Sequence, residues 1–271
     1  MHILVTNDDG IDSEGLHVLA RAMRAHGDVT VVAPDKENSG AGAAIGALHL
    51  MEPEIHPATV DGIDTAWKVN GTPALCAMFA RMGAFGEIDM IVSGINPGAN
   101  VGRAVYHSGT IGAAITGRNG GVPGVAVSQS VTGFGVMGQG WEEAIIGQKW
   151  HAAAAVASEV VGGLIAHPPE EPYVINLNVP DLEVEDMKGW RYTDVGLLPP
   201  RAVQDVKLSP HPDAPGAFKV EMEWGDANEL PLDVDAGAVM HDYVSVAYLS
   251  RITSLEPWGD KGMVAALDGL F

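Results

Sequence analysis

Met1-His2-Ile3-Leu4-Val5-Thr6-Asn7-Asp8-Asp9-Gly10 opens the chain and decides how the rest of it reads. His2 to Thr6 is a short apolar strand that runs straight into Asn, Asp, Asp and Gly. Beyond it, Asp12-Ser13 suits a helix N-cap. Leu16, Leu19, Ala20 and Met23 recur at i, i+3, i+4 and i+7, which is one face of a helix. Gly27 is placed to stop that helix, and residues 29–33 form a second strand ended by Pro34. Strand, helix and strand in this order predict two parallel strands joined by a right-handed crossover.

Outward from this unit the pattern repeats. Thr72-Pro73 reads as an N-cap followed by proline at the first helical position, with a helix through Phe79 and Met82. Ile88-Asp89-Met90-Ile91-Val92 reads as a buried strand. Residues 108–117 predict a helix, 122–128 a strand, 141–166 one long Ala-rich helix and 173–179 a further strand. Strand alternating with helix predicts an α/β fold, a mostly parallel sheet with helices on both faces. After Pro180 the regularity fades. Residues 199–231 are rich in Pro, Asp, Gly and Ala, and Phe218, Val220, Met222 and Trp224 alternate as in a hairpin with one apolar face. A last strand is expected near 243–249. The expected organisation is a core over 1–180 and a C-terminal appendage of hairpin and loops over 181–271, for which a partner subunit is the economical cover.

Composition narrows the function. Fifteen Lys and Arg stand against thirty-five Asp and Glu, a net charge of −20. That balance repels a nucleic-acid polymer, whose binding rests on basic residues neutralising phosphates. A small phosphorylated substrate remains compatible, because a bound cation inverts the local field. No apolar run approaches the roughly 20 residues that cross a bilayer. The first residues lack the pattern of a secretory signal, and the single cysteine, Cys76, permits no intramolecular disulfide. A cytoplasmic protein is expected.

Three polar clusters fall at the carboxyl ends of predicted strands: Asn7-Asp8-Asp9, Glu37-Asn38-Ser39-Gly40 and Ser93-Gly94-Ile95-Asn96. Parallel sheets bind ligands at those ends, near the point where strand order reverses. Asp8, Asp9, Ser39 and Asn96 are therefore expected to converge on one crevice. All four offer oxygen, which suits Mg²⁺, Mn²⁺ or Ca²⁺ rather than zinc or copper. Adjacent carboxylates repel each other, and a cation relieves that. Ser108-Gly109-Thr110 opens a predicted helix, where free N–H groups and the dipole can seat a phosphate; the same residues also suit a plain N-cap. The chain has no P-loop, no zinc-protease motif and no nucleophile elbow, and Gly40-Ala41-Gly42 through Gly46 misses the dinucleotide fingerprint by one residue.

Together Leu4-Val5-Thr6-Asn7-Asp8-Asp9-Gly10, Val32-Ala33-Pro34 through Asn38-Ser39-Gly40, Asn70-Gly71-Thr72-Pro73, Ser93-Gly94-Ile95-Asn96 through Asn100-Val101-Gly102 and Ser108-Gly109-Thr110 resemble, in order and spacing, the SurE family of stationary-phase survival proteins. Asn176-Leu177-Asn178-Val179-Pro180 and Tyr243-Val244-Ser245-Val246 extend the likeness towards the C-terminus. The resemblance implies a Rossmann-like core, one divalent cation per subunit (Mg²⁺ or Mn²⁺), and hydrolysis of nucleoside 5′- and 3′-monophosphates. It implies that Asp8, Asp9, Ser39 and Asn96 hold the metal and that Asn100, Ser108, Gly109 and Thr110 surround the phosphate. It also implies a homodimer or homotetramer with exchanged C-terminal segments. The chain departs from the family where Arg103 replaces an acidic residue, His107 a Tyr, Leu75 an Asp and Thr116 a Glu.

The expected chemistry is metal-assisted hydrolysis of a phosphomonoester, with Asp8 and Asp9 as catalytic residues, either of which can accept a proton from the attacking water. His107 is a candidate proton donor to the leaving group. Two other readings fit parts of the pattern. One is an aspartyl-phosphate-forming phosphatase, although that class carries Asp-x-Asp rather than adjacent acids. The other is a catalytically silent nucleotide-binding sensor.

Overall fold

The structure, a computed structural model, describes residues 1–50, 52–132, 141–254 and 261–270. The first unit forms as its sequence predicts: β1 (His2–Thr6), α1 (Glu14–Met23) and β2 (Asp28–Pro34). Leu16, Leu19, Ala20 and Met23 are all fully buried. Ser13 occupies the N-cap, but its side chain makes no capping hydrogen bond. Gly27, at φ +149°, turns the chain so tightly that a Cβ there would lie 2.0 Å from the Met1 carbonyl oxygen.

Next come β3 (Ile55–Pro57) and β4 (Thr65–Val69), which the pattern of the sequence does not predict, then α2 (Pro73–Arg81) and β5 (Met90–Pro97). Thr72 caps α2, its hydroxyl accepting from the Leu75 N–H. They are followed by α3 (Gly109–Asn119), β6 (Gly124–Gln129), α4 (Trp141–Ala144), α5 (Trp150–Ala166) and β7 (Val174–Val179). The helix expected over 141–166 is thus two helices. Gly147 takes a left-handed conformation, φ +81°, between them, and the Lys149 N–H that would continue the first helix bonds instead to Asp181. The C-terminal part supplies β8 (Trp190–Tyr192), β9 (Arg201–Pro210), β10 (Phe218–Ala227), α6 (Asp235–Met240), β11 (Val244–Tyr248) and α7 (Lys261–Asp268). Among the described residues no helix is long and apolar enough to cross a membrane.

Among the described residues nine strands form one sheet in the order β3-β4-β2-β1-β5-β6-β7-β11-β8. The six strands from β4 to β7 are parallel, while β3 and β11 run antiparallel to their neighbours β4 and β7. Alternation along each strand feeds two apolar layers. Ile3, Val5, Val92, Val125, Val127, Ile175 and Leu177 pack against α1 and α5. Leu4, Val32 and Ile91 point the other way, against α2 and α3. From β1 the chain moves outward to β2 with α1 on one face. From β5 it moves the other way to β6 with α3 on the opposite face. These two crossovers, and the one through α2, share a hand. The β6–α5–β7 crossover has the other hand, because α5 lies on the α1 face. Right-handed crossovers are the strong rule. What displaces α5 is visible on β7, where Asn176 and Asn178 alternate with the apolar residues, and their face is taken by the loop at Asn100.

β9 and β10 pair antiparallel outside the main sheet, with Val220 opposite Leu208, Met222 opposite Val206 and Trp224 opposite Val203. These side chains share one face and all are exposed. Lys207 with Glu223 and Ser209 with Glu221 mark the polar face.

Two glycines test the packing. A Cβ on Gly15 would lie 2.4 Å from the Ile95 carbonyl oxygen and 3.2 Å from the Trp150 ring. Gly15→Ala is expected to lift α1 from the sheet and cost about 1–3 kcal/mol in urea denaturation. Gly163 lies within α5 with nothing within 4 Å of its added Cβ. Gly163→Ala is expected to stabilise by about 0.5–1 kcal/mol. Equal effects of the two substitutions would contradict this packing.

Candidate active site

The sheet changes direction between β1 and β5, which lie side by side with Thr6 opposite Ser93. Asn7, Asp8 and Asp9 leave the end of β1 at this gap. Asn7 is buried, and its Nδ2 donates to the Gly10 carbonyl at 3.0 Å, closing the turn that carries both acids. The loop after β2 is drawn in by the Asn38 N–H, which donates to the Asp8 carbonyl at 2.7 Å. Ser39 follows directly, its hydroxyl donating to Glu37. Asn96 lies within β5 rather than beyond it. Pairing with β6 is irregular after Ser93 and resumes at Asn96 opposite Ser128. Its Nδ2 donates to the carbonyls of Pro97 at 3.2 Å and Gly98 at 2.6 Å, which leaves its oxygen available.

The two acids differ. Asp8 is 2% exposed, and its Oδ1 accepts from the Thr110 hydroxyl at 2.5 Å. Burial raises its carboxyl above the ordinary range, opposed by the Thr110 hydroxyl and by the backbone N–H groups of Thr110 and Gly109. Asp9 is only partly buried, but its Oδ2 is enclosed and has no hydrogen-bond donor. Burial, then repulsion by Asp8 and by Glu37, pushes the Asp9 carboxyl up to about 8. An enclosed carboxylate oxygen that meets acids and no donor fits a cation. Among the described residues no three His, Cys, Asp or Glu side chains are grouped so that they could hold a metal ion. A metal here therefore depends on the two carboxylates with hydroxyl and carboxamide oxygens, a set that suits Mg²⁺ or Mn²⁺.

The start of α3 faces the same acids. A Cβ on Gly109 would stand 2.8 Å from Asp8 Cβ and Oδ2, so only glycine lets the helix approach this closely. Ser108 is buried and caps α3, accepting from the Ile111 N–H at 3.1 Å. The Thr110 hydroxyl is spent on Asp8. Asn100 is held from β7: its N–H donates to Asn178 Oδ1 at 2.8 Å, and its carbonyl accepts from Asn176 Nδ2 at 2.8 Å. Its own Nδ2 donates to Ser128 at 2.9 Å. Sequence reasoning gave Asn176 and Asn178 no task. The signal was present, as amides at alternate positions of a wholly buried strand need partners. Arg103 and His107 are exposed on the short 3-10 turn and rim between Asn100 and α3. Leu75 is buried in α2 and Thr116 lies in α3, its hydroxyl bonded to the Gly112 carbonyl, both behind the site.

Comparison with known proteins bears on the family and the fold. The family model described as Survival protein SurE matches residues 3–199. A protein of Histophilus somni named 5′-nucleotidase SurE is 36% identical over 274 residues, covering 96% of this chain and 100% of its own. A protein of the same name from Haemophilus influenzae is 35% identical, covering 96% and 98%. The crystal structure of a SurE protein from Aquifex aeolicus superposes with a TM-score of 0.76 at 27% identity, over 100% of this chain and 99% of that one. By the match along most of its length, the chain belongs to the SurE family.

Proposed function

We propose that this chain is a metal-dependent nucleotidase that hydrolyses nucleoside 5′- and 3′-monophosphates to nucleoside and phosphate in the cytoplasm. The observation that carries the reading is the Asp8–Asp9 pair, enclosed at the switch between β1 and β5, with one carboxylate oxygen lacking any donor. The 5′-nucleotidase name of relatives that align along nearly the whole chain supports the substrate class.

Asp8, Asp9, Ser39 and Asn96 would hold one divalent cation, Mg²⁺ or Mn²⁺, per subunit. When bound, it supplies charge that offsets the phosphoryl oxygens and acidity that makes water a better nucleophile. The chain's own groups do the remainder. Thr110 fixes the orientation of Asp8 through its hydroxyl. Ser108, Gly109 and Thr110, at the start of α3, would lie against the phosphate, where the positive end of the helix favours an anion. Asn100, its backbone fixed by β7, offers a carboxamide to the substrate. Asp8 is held in place by Thr110, and either Asp8 or Asp9 can accept a proton from water attacking phosphorus. His107 stands at the rim, where it can protonate the leaving alkoxide.

The apolar face of the β9–β10 hairpin supports a homodimer or homotetramer as the working form. Seven exposed apolar side chains on a free ribbon need a cover, and a second copy provides it symmetrically.

Four measurements test these readings. Hydrolysis of AMP should vanish with EDTA and return with Mg²⁺ or Mn²⁺, and Asp8→Asn and Asp9→Asn should each lose most activity, about 100-fold or more, while remaining folded. Full activity in excess EDTA would overturn the metal. In ¹⁸O-water under single turnover, label should enter only the released phosphate; label in either aspartate would establish a phosphoenzyme instead. A third test uses pH. Asp9 binds its proton more tightly folded than unfolded. That contribution is complete below about pH 4 and is lost as the pH rises through about 8. Metal-free wild type should therefore lose stability relative to Asp9→Asn over that interval, and Mn²⁺ should stabilise wild type most at its upper end. A stability difference independent of pH would contradict the enclosure of Asp9. Fourthly, light scattering at micromolar concentration should give a dimeric or tetrameric mass, and a monomeric mass would refute the assembly.

A further inference from the structure

Val101, Leu230 and Ala236 form a small buried cluster of their own, with Ala99 and Val234 packed against it. It joins the loop that carries Asn100 to a segment far along the chain. Beside it lies Asp235, fully buried. Its Oδ2 accepts from the Gly102 N–H at 2.8 Å. Its Oδ1 accepts from the Gly196 N–H at 3.0 Å and from the Ala236 N–H at 2.8 Å. Among the described residues no Lys or Arg pairs with it. A buried carboxylate without a cation is costly, and this one spends its acceptors on backbone amides from three separate segments. Its effect is to fix the path of the chain.

The path it fixes bears on the site. Gly102 takes φ +55°, and a Cβ there would lie 3.1 Å from the Gly196 carbonyl oxygen, so a side chain would strain the backbone and crowd this contact. Asn100 stands two residues away. β7 grips it on one side through Asn176 and Asn178, and Asp235 grips the chain just beyond it. Release of the Gly102 N–H would leave the chain beyond Asn100 held by the packing of Val101 alone.

We propose that Asp235 is a positioning residue of the nucleotide site: through Gly102 it sets where Asn100 presents its carboxamide. The proposal rests on the nucleotidase reading for its substrate. It also explains why residues 230–236 turn back towards the sheet after the hairpin. They carry the carboxylate that closes the loop.

Asp235→Asn is the test. An amide can still accept two of the three N–H groups, but it turns its own N–H₂ towards the third. With Mn²⁺ present, kcat/KM for AMP is expected to fall about 10- to 100-fold, mainly through KM, because small displacements of a binding group cost that much. The Mn²⁺ concentration giving half-maximal activity should stay unchanged, since Asp8 and Asp9 are untouched. Amide exchange at residues 100–102 should quicken while β1 and β5 stay protected. A residue that only supported the fold would lower kcat with the folded fraction and leave KM unmoved, and that result would overturn the proposal. So would unchanged exchange at Gly102. Gly196→Ala keeps the carboxylate but sets a methyl 3.2 Å from Asp235 Oδ1. It should raise KM in the same direction by a smaller factor, and a KM unchanged in both variants refutes the assignment. A wild-type chain inert towards every nucleoside monophosphate sinks the nucleotidase reading and this proposal with it, and is seen before any variant is compared.

Discussion

Two neighbouring parallel strands at the middle of the sheet, β1 and β5, send the chain away in opposite directions. Because crossovers of one hand lie on one face for one direction of travel, α1 and α3 must cover opposite faces, and no connection can bridge the carboxyl ends between them. That gap is where the acids gather. Hydrogen bonds from the neighbouring loops then close it: Asn38 onto the Asp8 carbonyl from the β2 side, Thr110 onto the Asp8 carboxylate from α3. A sheet without that reversal would have buried the same residues beneath a helix.

The second constraint is the divided character of β7. Ile175, Leu177 and Val179 need the apolar layer, whereas Asn176 and Asn178 need amide partners. A helix could satisfy only the first face. The chain accordingly places α5 on the apolar side, with the less common crossover hand, and lays an irregular loop on the other. Regular structure gives way here to a loop whose backbone can meet a ligand, and side-chain amides satisfy the polar groups that this loop buries.

Much of this was legible in the sequence. The run from Ile3 to Val5 before two acids, the helical spacing from Leu16 to Met23, and the Thr72 and Ser108 caps are local signals, and local interactions produce them. Asp8, Asp9, Ser39, Asn96 and Asn100 could be grouped from the sequence as candidates because each falls at or near the carboxyl end of a strand. The break at Gly147 was masked by the alanines that follow it, which favour helix whether or not the helix is continuous. β4 was missed although Ala66 and Val69 are buried, because five residues carrying Thr65 and Lys68 give a weak alternation. Asp235 was illegible for a different reason. It is one acid among thirty-five, and its partner Gly102 is 133 residues away. No periodicity or spacing records a contact of that range.

The lengths of these contacts set an order of events on the ribosome. Asp8, Ser39, Asn96 and Thr110 are all made before Asn176, and strands β1, β2, β4 and β5 with them. The acidic crevice can therefore take shape early in synthesis. The loop beside it cannot: Asn176 comes later, and Asp235 is made 133 residues after its partner Gly102. Since domains tend to assemble from the N-terminus as they are made, the two halves of one site mature at different times. The part that faces the acids is drafted first, and the part that frames Asn100 waits for Asp235.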